Sequence, residues 1–568
     1  MHLKVGSVKG RKYLSIAHGY RDAKTGKART KTIRSLGYLD VLEGEFPDPI
    51  KHFKEVAEEM NRQEAEARAP INVAIDRNEL ISSGRANRKN LGYVVLSKLY
   101  YELGLDIFFN NNARGQKMDY NVNNVMKLLL FSRILSSSSK KRTFENKDCF
   151  FEKFDFSLPD VYRFLTFANS KKENLKLHLH RKITEQYSRN TGVVYYDVTN
   201  YYFEIDRQDA LRKKGVSKEH RPSPIVQMGL FMDTAGLPIS YELFPGNTND
   251  CSTLIPFLAK TKREYGIGRI IVVADKGLNT GMNVAFNLIK GDGYVYSQTI
   301  RGGHKELKDY ALDDAGYREV GGGRIKSRIY PREIQVIDKN GKRVTTRVSE
   351  KQVVLYSEKY DRKAKAEREA VIAKAAGLVN NPGAYNRATS YGAAKYVKNL
   401  SFGKDGEILT AKQRPALDTD RILEEEKFDG YYAIVTSESD KSDEEIVEIY
   451  RGLWKIEESF KVTKSDLKTR PVYLSREDRI QAHFLICFIA LIIARILEMR
   501  LDGEFSVSEI IESLNSMSAS HLEENWYMSD YSDSVTEAIN EKMGIDLRKK
   551  YLSLGEIRQM IGETKKRP

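Results

Sequence analysis

The chain has 568 residues, 41% of them hydrophobic; at about 100–200 residues per domain this leaves room for several packed cores. Lys and Arg number 93 against 78 Asp and Glu, a formal charge of +15, which favours a phosphate-rich partner or an anionic membrane face. Three widely spaced cysteines, Cys149, Cys251 and Cys487, argue against a disulfide framework or a thiolate zinc site and suit a reducing cytoplasm.

The first stretch, "MHLKVGSVKGRKYLSIAHGY", has no apolar signal core. Residues 11–39 alternate around "DAKTGK" and predict a β-hairpin with outward Lys and Arg. From about 50 to 190 the pattern is helical. "LGYVVLSKLYYEL" (91–103) and "NVNNVMKLLLFSRIL" (121–135) place apolar residues three and four apart, and "SSSSKKR" (136–142) follows as a basic loop.

At 191 the texture changes. "TGVVYYDV", "SPIVQMGLFMD" (223–233) and "LPISYELFPGN" (237–247) predict three adjacent antiparallel strands with turns at "DTAG" and "PGN". A helix from Ser252 to about Tyr265, a strand at 269–277, a helix to about Lys290 and a strand at 293–300 follow. This order predicts an α/β fold with a mixed sheet. Residues 301–427, rich in glycine and strand-formers, are expected to form an insertion. "DGYYAIVTS" (429–437) returns to strand, and Ser442 with Glu445 makes a capping box that opens the next helix. The remainder, 466–568, reads as helical, with a second capping box at Ser553 and Glu556. Within it "FLICFIALIIARIL" (484–497) is too short an apolar run to cross a bilayer and predicts a buried helix. The protein is expected to be soluble, with no membrane partner.

Three acids stand out. Asp197 ends the apolar run "VVYYD" and Asp275 ends "IIVVAD", and ligands of α/β sheets gather near strand ends. Glu457 lies in "YRGLWKIEESFKVTK" (450–464). At about 100° per residue, Tyr450, Leu453, Glu457 and Lys464 fall within roughly 60° of one another, so Glu457 sits at the rim of the buried stripe. A carboxylate there needs a partner: either Lys461, four residues on, or a metal ion. Oxygen donors without a Cys or His cluster favour Mg²⁺ or Mn²⁺.

These blocks together resemble the bacterial insertion-sequence transposases of the DDE class, in the branch whose third acid lies in a Tyr-x2-Arg-x3-Glu-x6-Lys signature. "YRGLWKIEESFKVTK" supplies Tyr450, Glu457 and Lys464 at that spacing, which selects Glu457 over Glu458. "YYDVTNYYFE" with "VSKEHRPSPIVQMGLFMDTAGLPISYELFPGNTND" resembles the first-acid region, "VVADKGLNTG" the second, and "LKTRPVYLSREDRIQAHFLICFIAL" the region after the third. The resemblance implies a ribonuclease-H-like (retroviral-integrase-like) catalytic domain in two parts, 191–300 and 428–500, around a β-rich insertion, 301–427. Before it come a basic hairpin and helix, 1–75, and a helical DNA-binding region, 76–190. A C-terminal helical region, 501–568, follows.

The resemblance also implies that Asp197, Asp275 and Glu457 bind two Mg²⁺ (or Mn²⁺) ions and that Tyr450 and Lys464 contact DNA phosphates near the cleaved end. The signature arginine position holds Leu453; Arg451 lies about 160° away round the helix and cannot replace it. Leu453 is expected in the core, with Arg470 or Lys461 supplying charge. Lys218, His220 and Arg221 in "SKEHRP" form either a solvated loop or a phosphate clamp. Trp454 either packs in the core or stacks on a splayed base. His483 reads as a helix-start residue, and the glycines of "GIGRIIVV" precede their strand, against a dinucleotide site. The expected activity is cut-and-paste transposition: strand cleavage at terminal inverted repeats, then attack of the freed 3′-hydroxyl on the opposite strand or target DNA. A homodimer on double-stranded DNA, in the bacterial cytoplasm at the nucleoid, is implied. A catalytically silent DNA-binding derivative and a structure-selective nuclease of the same fold are the alternatives.

Overall fold

The apolar run that opens at residue 193 does not stop at its aspartate. In the computed structural model it continues to Tyr202, and the larger part of the chain is organised round that strand. The structure describes all residues except 9, 22–27, 67–77, 79, 81–86, 220, 221, 339, 386–389, 391, 403–407, 410–414 and 568. The chain divides into two units, Met1–Ile81 and Ser82–Pro568.

In the first unit the expected hairpin pairs Arg11–Arg21 with Ala28–Tyr38, and a third strand, His2–Val8, extends it. The connecting turn lies outside the described residues. Leu14 and Ile16 are fully buried, and Leu14 forms a small core with Leu42 and with Phe53 from the helix Pro49–Glu66. Lys12, Lys31 and Arg34 face solvent.

The second unit opens with helices that include α1 (Val122–Leu135) and α2 (Leu158–Ser170). A mixed sheet follows: β1 (Val193–Tyr202), β2 (Ile225–Met232), β3 (Pro238–Pro245), β4 (Ile271–Ala274), β5 (Gly293–Gln298), β6 (Arg318–Val320), β7 (Gly323–Ile337), β8 (Arg343–Ser357) and β9 (Tyr431–Thr436). Their spatial order is β6-β7-β8-β9-β5-β4-β1-β2-β3. The first three strands are antiparallel, and β4 runs parallel to both β1 and β5. Three antiparallel strands flanked by two parallel ones is the ribonuclease-H-like core. The strands expected in the insertion join this same sheet: β8 pairs with β9, and β9 pairs with β5.

Alternation along the strands separates two cores. Val194, Tyr196 and Val198 of β1 point with Val272 and Ala274 towards α3 (Leu254–Tyr265) and α4 (Gly281–Ile289). Tyr195, Ile271, Val273 and Val295 point the other way and pack with Leu453, Ile456 and Phe460. The helix expected to run unbroken from Ser442 is two, α5 (Asp443–Arg451) and α6 (Trp454–Ser465). Tight i→i−3 bonds from Leu453, Lys455 and Ile456 mark the joint. Gly452 permits it: a Cβ there would lie 1.8 Å from the Tyr195 hydroxyl.

The helix carrying the greasy run, α7 (Glu477–Arg500), is long and apolar enough to cross a membrane, yet 94% of its apolar window is buried inside the protein. It packs on α1 and α2. The stretch after it is not wholly helical, as had been expected. Ser518–His521, Trp526–Ser529 and Tyr551–Ser553 form a small sheet with Arg88–Asn90 from far upstream. These strands are three or four residues long, too short for an alternation signal.

A buried ion pair locks the β2–β3 turn: Arg189 Nε meets Asp233 Oδ2 at 2.8 Å, with side chains 0% and 1% exposed. Removing one partner leaves an uncompensated charge in the interior. Asp233→Ala is therefore expected to destabilise the protein by about 3–5 kcal/mol, read as a lowered urea midpoint with an unchanged slope.

Candidate active site

Register brings the two aspartates together. β1 and β4 pair in parallel as Val193↔Ile271, Val194↔Val272 and Tyr195↔Val273. Two steps further along each chain stand Asp197 and Asp275. With a side-chain period of two, both point to the face of Tyr195 and Val273, the face that α6 covers. Asp197 is thus the fifth residue of a ten-residue strand and not its end, while Asp275 does close β4 and leads into a short 3₁₀ turn. Glu457 lies in the first turn of α6, which packs on β1.

The three carboxylates are within electrostatic reach of one another. Burial pushes the Asp197 carboxyl up to about 6; Lys218 opposes the rise, and Asp275 and Glu457 add to it. The Val198 N–H donates to Asp197 Oδ1 at 2.7 Å. Lys218 Nζ donates to the Val198 carbonyl. The Ser297 hydroxyl at the end of β5 donates to Asp275 Oδ1 at 2.7 Å.

Glu457 is exposed and makes no ion pair among the described residues, so the expected alternative of a bridge to Lys461 is not formed. Its neighbour Glu458 is instead 3.2 Å from Arg495, a buried side chain of α7. Among the described residues no three His, Cys, Asp or Glu side chains are preassembled closely enough to hold a metal. By charge the acids nevertheless suit a hard divalent cation, which would relieve the repulsion that adds to the effect of burial at Asp197.

Asp275, Ser297, Tyr450, Leu453, Trp454 and Glu457 line a cleft of about 890 Å³; Asp197 does not line it. Burial raises the Tyr450 phenol, whose hydroxyl lies beside Ser297 and near Asp275 and Glu457. Leu453 is 6% exposed and belongs to the core, as expected. Trp454 is 55% exposed, which removes the core-packing alternative for it. Lys461 faces solvent. Lys464 and Arg470 converge on one acid, Glu219: Lys464 Nζ is 3.4 Å from its Oε1, and Arg470 pairs with the same oxygen. His220 and Arg221 lie outside the described residues. His483 is buried, its ring bonded to the Thr469 carbonyl at 2.9 Å.

Several contributors escaped the sequence reading. Glu219 sits inside "SKEHRP", whose cations drew attention while its carboxylate did not. A chain of bonds also runs from the β7–β8 hairpin to the second acid. Arg332 pairs with buried Glu350 at 3.3 Å and donates to Asn279 Oδ1 at 2.7 Å. Asn279 Nδ2 donates to the Ser297 carbonyl at 3.1 Å, and Ser297 holds Asp275. Only the long-range strand pairing brings these four positions together, and no local spacing encodes it.

A family model described as a transposase DDE domain matches residues 203–493, a range that holds Asp275 and Glu457 and begins just after Asp197. A second, described as an IS1634 family transposase N-terminal domain, matches residues 3–71. No curated protein matches the chain. Among solved structures, the piggyBac transposase synaptic complex with hairpin DNA is similar at 8% identity, with 84% of each chain covered and a TM-score of 0.35. The Mos1 transposase paired-end complex with left transposon end is similar at 16% identity, over 29% of this chain and 54% of that one, with a TM-score of 0.11.

The raised Asp197 pKa has a signed consequence. Between 3.8 and about 6 the folded chain keeps a proton that the unfolded chain loses. Asp197 therefore costs stability increasingly as pH rises through that window. Asp197→Asn is expected to melt several degrees above the parent protein at pH values beyond 6, without divalent metal. The gap should close as the pH falls towards 3.8, and a pH-independent difference would contradict this assignment.

Proposed function

The chain belongs to the family of DDE-domain transposases, and from that premise we propose that Asp197, Asp275 and Glu457 are the catalytic carboxylates of an insertion-sequence DNA transposase. The observation that carries the assignment is the parallel register that puts Asp197 and Asp275 on one face beneath the helix of Glu457. These three side chains would hold two Mg²⁺ or Mn²⁺ ions, which would supply activation of the attacking oxygen and charge relief at phosphorus. The reactions are hydrolysis at the end of the element and attack by the freed 3′-hydroxyl on the opposite strand or on target DNA.

The remaining groups position DNA. Tyr450 lines the cleft beside Asp275 and directs its hydroxyl to a phosphate next to the cut. Lys464 and Arg470 are held by Glu219 until a phosphate competes for them, so their charges are preplaced and partly neutralised in the free protein. Lys218, beside Asp197, and Lys461, on the outer face of α6, extend the phosphate contacts; His220 and Arg221, which follow Lys218 in the sequence, are assigned the same role. Trp454 offers an exposed indole at the cleft for a base displaced from the duplex. The 1–75 and 76–190 segments recognise terminal inverted repeats, and two protomers pair the ends as a homodimer on DNA.

With Mg²⁺ and terminal-repeat DNA, Asp197→Ala, Asp275→Ala and Glu457→Ala are each expected to lower nicking by at least about a thousandfold while leaving DNA binding in place. Cleavage that persists in EDTA, or in Asp197→Ala, would sink the assignment. Trp454→Ala is expected to cost about 1–3 kcal/mol of stacking. That loss should appear in second-strand cleavage and spare the first nick, as resolved on a denaturing gel.

A further inference from the structure

The larger unit contains a second cavity, of about 640 Å³, that none of the roles above explains. Three stretches build it: the end of α1 with the serine-rich turn after it, the start of the helix Lys140–Glu145, and the segment Lys468–Leu474 that follows α6, with His483 of α7 beside them. Arg133, Lys140 and His483 all line it and are buried, at 5%, 6% and 4% exposure.

Arg133 and Lys140 have no acid paired with them among the described residues, and burial beside them keeps the His483 imidazole neutral. Among the described residues the charged group that bears most on Lys140 is Arg133, which repels it. Those bearing on His483 are Lys140 and Arg133. Arg133 spends Nη1 on the carbonyls of Leu467 and Lys468, at 3.2 and 3.1 Å, and Nη2 on that of Ser138, at 3.2 Å. Its Nε has no hydrogen-bond partner among the described residues. The Lys140 ammonium has neither a hydrogen bond nor an ion pair among the described residues. Burial beside Arg133 lowers it to about 7. An ammonium largely withdrawn from water beside a second cation is costly, and the cost is recovered when an anion enters the cavity.

The cavity is linked to the proposed DNA-contacting residues through one side chain. Arg470 forms part of its wall and pairs with Glu219, the acid that holds Lys464 of the signature. We propose that this cavity is a phosphate-binding pocket in which Lys140 and Arg133 receive one phosphate of the DNA strand held in the cleft. The proposal rests on the transposase reading for its ligand, but the pocket's affinity for phosphate does not depend on catalysis. The serine-rich basic stretch at 136–142, expected as a loop but helical from Lys140, thereby acquires a role as one wall of the pocket.

The test uses the full chain as wild type, Lys140→Gln, Lys468→Asn and Asp197→Ala. Inorganic phosphate, compared with chloride at equal ionic strength, is expected to raise the melting temperature of wild type and Asp197→Ala by a few degrees. The shift should vanish in Lys140→Gln and shrink in Lys468→Asn, a solvent-facing wall residue whose replacement leaves the core intact. Absence of a shift in wild type, or an equal shift in folded Lys140→Gln, overturns the proposal; if Lys140→Gln does not fold, an undiminished shift in Lys468→Asn does so.

Binding to end duplexes then identifies the phosphate. A loss of about tenfold in Lys140→Gln, with the salt slope reduced by about one, is expected. If the loss is confined to duplexes bearing a 5′-phosphate, the pocket takes a terminal monoester; an equal loss on 5′-hydroxyl duplexes identifies an internal diester. Unchanged affinity on both overturns the DNA assignment. Nicking by wild type and its loss in Asp197→Ala report separately on the catalytic reading.

Discussion

Everything at the candidate site depends on the parallel pairing of β1 with β4. Side chains alternate across a sheet, so a slip of one residue in that pairing would send one aspartate to the face of α3 and α4 and leave the other alone. The register is defended from both sides. Tyr195, Ile271 and Val273 are committed to one core, and Val194, Val272 and Ala274 to the other. Two acids are thereby forced into proximity by apolar neighbours that have no part in the chemistry. The free energy of burying those neighbours sustains a repulsive arrangement that the carboxylates alone would not adopt.

Charge is distributed unevenly round this arrangement. Among the described residues the acids have no strong counter-ion: Lys218 opposes the rise at Asp197, Ser297 donates to Asp275, and Glu457 stands open to solvent. The cations beside them are restrained, with Lys464 and Arg470 sharing Glu219. Such a surface is prepared for partners of both signs, a cation for the acids and a polyanion for the bases. The β7–β8 hairpin contributes from a distance through Arg332 and Asn279, so sequence between the second and third acids helps to orient the second.

The catalytic core was largely legible in the sequence because its strands are long and its apolar alternation is regular; β2, β3 and β5 fall within a few residues of where the pattern placed them. The end of β1 was misplaced because Asp197 looks like a terminator, yet "VTNYY" continues the strand and pairs with β2 up to Tyr202↔Ile225. The break between α5 and α6 was missed because Gly452 suits a helix interior poorly but does not forbid one; what demands the glycine is Tyr195, remote in sequence. Trp454 could not be placed from helical angles for the same reason, since the joint changes the phase. Glu219 and Asn279 carry no local signal at all, and their roles follow only from tertiary pairing.

The position of β9 in the sheet has a consequence for biosynthesis. β5 is flanked by β4 on one side and by β9 on the other, and β9 is not made until residue 431, more than 130 positions after β5 ends. A nascent chain that has left the ribosome only as far as the insertion presents β5 as an open edge, the kind of surface that recruits stray strands. Completion of the sheet and delivery of the third carboxylate occur within the same short stretch of translation, 431–457. On the proposed assignment, a chain made only as far as the insertion lacks one of the three carboxylates that cutting DNA requires.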